Sequence, residues 1–500
     1  YFFMIKIQGL SPSVLIAMGL CRGVLLFLSV AVALAGAAAS EIAGPIAEEA
    51  AALSRSEHPP RREDGQRGSG GEPRGGEPRY GIMIDAGSEG SRIVIFTWKG
   101  SEPGEARRVI QPTAIGNLSV TPGIGSFALR PHRAGESLKP LIRYAQRTLE
   151  HKKAHWHLFP LWLRATAGMR LLHADEREDV LADVQKFLRK SGFYFKDDMA
   201  EVISGEEEGL FGWIAVNCHM GQLCTEAPGN FSTLGSLDLG GASTQIVFIP
   251  EKSIMAHAYP VSLGPHRLRV YSWSFLHFGQ RESAHSTANI IISDALTQVQ
   301  SVSKLTHPCY AIGYEYKPHF TYSDTRRFPM EVSMQGSSNY EKCEALIQRI
   351  FRKDAPCLVQ ACSFYGVYQP HVYEKPFVAF SHFADVATSL ALPHDARLRD
   401  LRVASEYVCS LSLEQLNIIF ARVQGDYERF HLCFHAAFVY VLLTYGFGFD
   451  PESQQVLFKG TLADDRAIDY IDGAMVYEIN QDEWLTCPAA TTEDRAAEAL

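Results

Sequence analysis

Two stretches of the chain repeat one pattern of apolar and polar positions. Tyr80–Ile84 (YGIMI) and Ile93–Trp98 (IVIFTW) are apolar runs of strand length, rich in β-branched and aromatic residues, and they predict two strands. Between them lies DAGSEGSR. Ser236–Leu239 and Thr244–Ile249 (TQIVFI) predict a second pair, with Asp238 at the end of the first strand and GGAS between the two. Asp85 and Asp238 stand 153 residues apart. The shared plan of strand, Asp, Gly-rich turn with a hydroxyl, strand reads as an internal duplication, one copy per lobe, although two matches this short also arise by coincidence. Elsewhere the apolar spacing is helical, over Ala134–Leu149 and over Ala174–Leu188, with Asp175 as a candidate cap, and again over Ser286–Val302 and Tyr340–Phe351. His431–Tyr445 is apolar nearly throughout and predicts a buried helix ended by Gly446. Strands alternating with helices give an α/β fold.

Composition narrows this only slightly. With 500 residues, 46% of them hydrophobic, the chain has enough apolar surface for two or three domains. The net charge of −9 argues against a nucleic-acid surface. An acidic protein that handles phosphates must supply local cations, backbone N–H groups or a metal.

Beginning at Met18 the chain reads MGLCR, GVLLFLSVAVALAG and AAAS, a basic, an apolar and a small-residue segment in the order of a signal peptide cleaved near Ala39. The rival reading is an uncleaved anchor over Val14–Ala39, but Arg22 lies in its middle, where a charge costs about 3 kcal/mol. Only an uncleaved segment would bring a membrane into the picture, and no second apolar run suggests a C-terminal anchor. Residues 40–79 are rich in Ala, Gly, Pro, Arg and Glu and too poor in apolar residues to fold, so they predict a linker. Nine cysteines follow Cys21, an odd set suited to disulfides in an oxidising compartment. Zinc fits less well because no CxxC pair occurs. Asn117-Leu118-Ser119 and Asn230-Phe231-Ser232 are glycosylation sequons.

The chemistry concentrates in four segments. In DAGSEGSR, glycines let backbone N–H groups approach a phosphate, Ser88 and Ser91 add hydroxyls, Arg92 adds charge, and Asp85 suits a hard cation. Taken alone, the same loop is also an ordinary hairpin turn. DLGGASTQ repeats the device with Asp238, Gly240 and Gly241. Two facing carboxylates would repel an anionic substrate, and a metal between them removes the conflict. RATAGMR offers Thr166 to a water or a phosphate, or is a simple turn before a helix. SGEEEGLFGW carries Glu206, Glu207 and Glu208, either a solvated acidic face or the source of a general base.

DAGSEGSR, ATAGMR, SGEEEGLFGW and LDLGGASTQ, in this order and spacing, resemble four of the five apyrase conserved regions of the ecto-nucleoside triphosphate diphosphohydrolases. LKPL, YSWSFLHFG, HPC, CSFYGVYQP and CFHAAFVYVLLTYGFGF extend the likeness over Tyr80–Asp450. The resemblance implies two actin-like (RNase H-like) lobes with the active site in the cleft between them, and hydrolysis of terminal phosphates of nucleoside tri- and diphosphates with Mg²⁺ or Ca²⁺. It implies an N-terminal lobe over 80–204, completed by 451–490, and a C-terminal lobe over 205–450, leaving 491–500 as a tail. Glu208 matches the catalytic base, and Asp85 and Asp238 the carboxylates that hold the metal through its waters. Thr166, Ser243 and Gln245 match positions that place the nucleophilic water. Ser88, Gly90, Ser91, Ala167, Gly240, Gly241 and Ala242 match the phosphate-binding loops. Cys309–Cys343, Cys357–Cys362 and Cys409–Cys433 match family disulfides, while Cys218 and Cys224 lack counterparts and are expected to pair with each other. The location implied is the secretory pathway, outside the cell or in the Golgi or ER lumen.

The chain departs from the family pattern in four places. Glu89 stands where a small residue is usual, and it is compatible with phosphate only if its side chain turns away. The W-x-L-G helix of the fifth region is expected to be absent or differently built, because Trp484 is followed by LTCPAATTEDRAAEAL. Ala384 and Asp385 stand where base-stacking aromatics are expected, leaving the nucleobase open. His277 and Ser323–Thr325 replace the two halves of a fourth family disulfide. The rival readings are an exopolyphosphatase-like phosphatase on the same fold and a catalytically silent nucleotide-binding or adhesion protein.

Overall fold

The computed structural model describes residues 78–100, 108–224, 232–298, 303–318, 332–373, 375–423, 425–462 and 466–481. The expected leader 1–39, the linker up to Glu77, Asn230, Ser323–Thr325, Trp484, Cys487 and the tail 491–500 lie outside them.

The first sheet has five strands: β1 (Pro78–Ala86), β2 (Ser91–Lys99), β3 (Thr113–Val120), β4 (Leu161–Ala165) and β5 (Ala200–Val202), in the order β3-β2-β1-β4-β5. β1 pairs antiparallel with β2 and parallel with β4. Both faces are covered, which explains the unbroken apolar runs. Ile82, Ile84, Ile93 and Ile95 pack with Leu141, Val180, Val184 and Leu188. Met83, Val94, Phe96 and Trp162 point the other way, towards Phe211, Ile214, Ile471 and Met475.

The second sheet has six strands: β6 (Gly235–Leu239), β7 (Ser243–Phe248), β8 (Ala258–Leu263), β9 (His266–Leu276), β13 (Phe377–Ser381) and β14 (Val456–Phe458), in the order β14-β13-β6-β7-β9-β8. β10 (Lys304–His307), β11 (Glu315–Tyr316) and β12 (Ser333–Gly336) form a small separate sheet. The outer face of the second sheet buries Leu237, Leu239, Ile246 and Phe248 against Phe377, Phe434 and Phe438. β14 pairs with β13, so the chain is still in the second sheet at residue 458, beyond the boundary expected at 450.

The helices follow the predicted periodicity, with shifted ends. The expected helix over Ala134–Leu149 is broken into Ala134–Ser137 and α1 (Lys139–Thr148). Pro140 sits in the first turn of α1, where its missing N–H costs least. A four-residue turn, α2 (Ala167–Arg170), precedes α3 (Ala174–Leu188). At α3 the capping residue is His173, and Glu176, not Asp175, reaches back to its N–H. α4 (Gly205–His219) is followed by α5 (Gln280–Thr297), which begins six residues before the expected Ser286. α6 (Tyr340–Ile350), α7 (Leu398–Cys409) and α8 (Asp426–Val441) cover the second sheet, and the chain continues from α8 through a wide helical turn to Gly446.

The last helix among the described residues is α9 (Tyr470–Ile479). Of the two expectations for the closing helix, absent or differently built, it supports the second. It begins at Tyr470-Ile471-Asp472-Gly473, upstream of Trp484, and packs on α4. A Cβ at Gly473 would lie 1.8 Å from the carbonyl oxygen of Phe211, so only glycine permits this approach. Of the fifteen residues of α4, eleven are buried, which fits a helix enclosed on all sides. Its Phe211 and Ile214 pack in the core beneath the first sheet, and Val216 meets Val378 and Phe380 of the second. α4 is therefore wedged between the sheets.

Four disulfides join Cys218 to Cys224, Cys309 to Cys343, Cys357 to Cys362 and Cys409 to Cys433. No helix among the described residues is long and apolar enough to cross a membrane.

Candidate active site

The first glycine turn joins β1 to β2 and leaves Asp85 at a strand end, opposite Arg92 in the hairpin register. The Tyr470 hydroxyl, from the first residue of α9, donates to Asp85 Oδ1 at 2.5 Å. Arg92 Nη2 lies 3.7 Å from Asp85 Oδ2 and bonds Asp469, the residue that caps α9. Burial and the neighbouring Asp469 push the Asp85 carboxyl up to about 7, against the pull of Arg92 and Tyr470. Within the turn Ser91 is buried, and among the described residues its hydroxyl has no hydrogen-bond partner. The Thr166–Arg170 segment packs directly on the turn: a Cβ at Gly168 would lie 2.6 Å from Ser88 Cα. Thr166 is buried at the head of α2 with its amide on the Ala86 carbonyl at 3.2 Å, and Ala167 is buried beside it.

The second turn joins β6 to β7. Asp238 is opposite Gln245 in that register, and its neighbour across β13 is Phe380. Ser381, held at φ 53°, supplies a hydroxyl hydrogen bond. That bond is the principal opposing influence, and burial together with Glu208 drives the Asp238 carboxyl well above its ordinary range. The carbonyls of Gly240, Gly241 and Ala242 are occupied by amides of Gln280, Arg281 and His277. Among the described residues no protein group accepts the amides of Gly241 and Ala242.

The two turns meet. A Cβ at Gly241 would lie 2.9 Å from Ser88 Oγ and 2.9 Å from Glu89 Oε1. Glu89 is exposed. Its carboxylate pairs with Arg281 at 2.6 Å.

Helix α4 sorts the three consecutive glutamates. Ser204 caps the helix, accepting the Glu207 amide at 3.1 Å, while Glu207 Oε2 accepts the Ser204 amide at 2.9 Å. Glu206 is partly exposed, and Glu208 turns inward and is buried. Arg170 Nη2 donates to Glu208 Oε2 at 2.6 Å and to Ser243 Oγ at 3.2 Å. Gln245 Nε2 donates to Ser243 Oγ at 2.9 Å, to Ser274 Oγ at 3.0 Å and more weakly to Glu208 at 3.4 Å. Burial raises the Glu208 carboxyl, and Arg170 counters it. Glu208 acts electrostatically on both Asp85 and Asp238, so the three acids stand close enough to raise one another. Among the described residues no three His, Cys, Asp or Glu side chains converge tightly enough to ligate an ion directly.

Sequence reasoning gave no role to Arg170, Tyr470, Asp469, Ser381 or Ser274. Arg170 had a signal, four residues after Thr166 on the same short helical turn. Tyr470 had a weaker one, an aromatic three residues before a helical glycine. Ser381 and Ser274 lie in unremarkable strands and left none.

A sequence model of the GDA1/CD39 (nucleoside phosphatase) family matches residues 73–493. Probable apyrase 3 of Arabidopsis thaliana is 28% identical over 408 residues, spanning 80% of this chain and 82% of the plant protein. Ectonucleoside triphosphate diphosphohydrolase 2 of Mus musculus is 32% identical over 435 residues, again 80% of this chain and 82% of the relative. A solved structure of nucleoside triphosphate hydrolases from Neospora caninum superposes with a TM-score of 0.61 over 84% of this chain and 95% of that one. At 17% identity that likeness concerns the fold alone.

Proposed function

Because the chain belongs to the GDA1/CD39 (nucleoside phosphatase) family and is a hydrolase of nucleotide phosphates, we propose that its two glycine turns grip one metal-chelated phosphate tail and that Glu208 activates the water that cleaves it. The observation that carries this reading is the convergence of three carboxylates from three separate elements, Asp238 and Glu208 buried and Asp85 partly so, each pushed towards protonation. Arg92 stands by Asp85 and Arg170 by Glu208, but among the described residues no cation pairs with Asp238, which suits a site completed by a bound ion. The donor set is hard oxygen, which fits Mg²⁺ or Ca²⁺, and Asp85 and Asp238 would hold the ion. Bound there, the cation would neutralise phosphate oxygens and offset their repulsion by the acids.

The chain's own groups do the rest. The free amides of Gly241 and Ala242, the Ser91 hydroxyl, and the backbones of Ser88, Gly90 and Ala167 cradle the phosphates, while the Gly240 amide, donated to the Ser243 carbonyl at 2.9 Å, shapes the second turn. Thr166, Ser243 and Gln245 orient the water, and Arg170 keeps Glu208 ionised and aimed. Glu208 takes the proton as the water oxygen bonds the terminal phosphorus in line, and the phosphorus–bridging-oxygen bond breaks to release orthophosphate and the shortened nucleotide. Four disulfides support a place in the secretory pathway, either released by cleavage near Ala39 or anchored by that segment. Asn117, exposed on the edge strand β3, is open to glycosylation, and Asn230 is a second sequon.

Glu208→Gln keeps the shape of the side chain and removes the base. Phosphate release from a nucleoside diphosphate should fall by about 10³-fold with the unfolding midpoint little changed. Retained activity in a folded variant would overturn the assignment.

A further inference from the structure

We propose that Arg281 is a further ligand for the phosphate tail, and that Glu89 occupies it as a built-in anion until the nucleotide displaces it. The inference rests on the nucleotide reading of the same site and adds a binding residue to it. Glu89 belongs to the first turn, between Ser88 and Gly90. Arg281 belongs to the second half of the cleft, as the second residue of α5, and its amide donates to the Gly241 carbonyl at 2.9 Å. Their side chains meet at 2.6 Å. Glu89 Oε1 is also the nearest atom, with Ser88 Oγ, to the open side of Gly241. The carboxylate thus lies across the slot between the two turns, where a phosphate tail gripped by both must enter.

Arg281 has a phosphate-binding group at a phosphate-binding position, and among the described residues Glu89 is its only ion-pair partner. A guanidinium binds a carboxylate and a phosphate with the same fork of N–H donors, and it favours the more highly charged phosphate. Both partners are nearly half exposed, so the pair is screened by water and exchanges readily. On entry the tail takes the guanidinium, and Glu89 swings into solvent. No covalent bond changes. A carboxylate in a phosphate loop, a liability if it faced the tail directly, becomes a competitor that sets how much nucleotide is needed to fill the site.

The test is a double-mutant cycle with Glu89→Gln, Arg281→Gln and the pair, read as kcat and KM for a nucleoside diphosphate and as the calorimetric affinity for magnesium pyrophosphate. Glu89→Gln should lower KM about 5-fold with kcat within about two-fold, and Arg281→Gln should raise KM about 10-fold. In the Arg281→Gln background the gain from Glu89→Gln should vanish. An unchanged or higher KM in Glu89→Gln overturns the proposal. So does an equal gain with Arg281 absent, which would mean that Glu89 acts only as diffuse charge. If the wild type released no phosphate, the nucleotide reading would fail by itself. The pyrophosphate affinities would still decide the competition, with about 5-fold tighter binding in Glu89→Gln supporting it and unchanged binding refuting it.

Discussion

Across the hairpin that carries the first glycine turn, Asp85 faces Arg92; across the hairpin that carries the second, Asp238 faces Gln245. The scaffold is duplicated, and the electrostatics are not. Asp85 has a guanidinium nearby and a phenol hydroxyl on its oxygen, both presented with help from α9. Asp238 has a hydroxyl from Ser381 and, among the described residues, no cation, and Glu208 presses its charge on it. The neutral residue opposite Asp238 serves another purpose: Gln245 ties Ser243 to the Glu208 network. One half of the cleft is thus compensated from within the protein, while the other is left for the proposed ion to balance. A second arginine in place of Gln245 would quieten Asp238 and compete with the metal.

This asymmetry can be broken at several points. The largest effect is expected at Asp238. Asp238→Asn should reduce metal-supported phosphate release by about 10³-fold, and Asp85→Asn by less, about 10²-fold, because Arg92 and Tyr470 continue to order the first turn. The reverse ranking in steady-state assays would contradict the comparison. Next comes Arg170→Gln. Glu208 must be ionised to accept a proton, and without Arg170 the protonated form gains, so the acidic limb of the kcat/KM–pH profile should move to higher pH and activity at neutral pH should fall about 10–100-fold. An unmoved limb would remove Arg170 from this role. Arg92→Gln makes the first hairpin resemble the second. It strands two acids, and denaturant unfolding without metal should show a loss of about 2–4 kcal/mol that added Mg²⁺ partly restores. The smallest effect belongs to Tyr470→Phe, which removes one hydrogen bond to Asp85 and should raise the metal concentration for half-maximal activity about 3–10-fold without changing the response of Asp238 variants.

Most of the cleft's acidic residues were legible in the sequence because the chemistry that presents them is local. A glycine turn between two apolar runs places an aspartate at a strand end whatever the rest of the chain does. The choice of Glu208 among three glutamates followed from a family likeness, but the capping box offers a local reason as well: Ser204 commits Glu207 to the cap and leaves Glu208 to turn inward. The supports of these acids were not legible, because they come from far along the chain. Tyr470 meets Asp85 across 385 residues, and Asp469 meets Arg92 across 377. The closing helix was sought at Trp484 for a related reason. Its mark in the structure is Gly473, whose missing Cβ lets the backbone touch the Phe211 carbonyl, a contact made from far along the chain. Helix ends were shifted where one residue overrides the pattern, as Pro140 does within the expected Ala134–Leu149 helix.

The central claim is that both turns hold a single metal–phosphate unit. It is tested most directly by the metal concentration that half-saturates phosphate release, measured in Asp85→Asn, Asp238→Asn and the double variant. Shared coordination predicts strong non-additivity, with the double variant needing little more metal than Asp238→Asn alone. If the two shifts multiply as independent effects, the turns bind separately, and the account of the cleft is wrong.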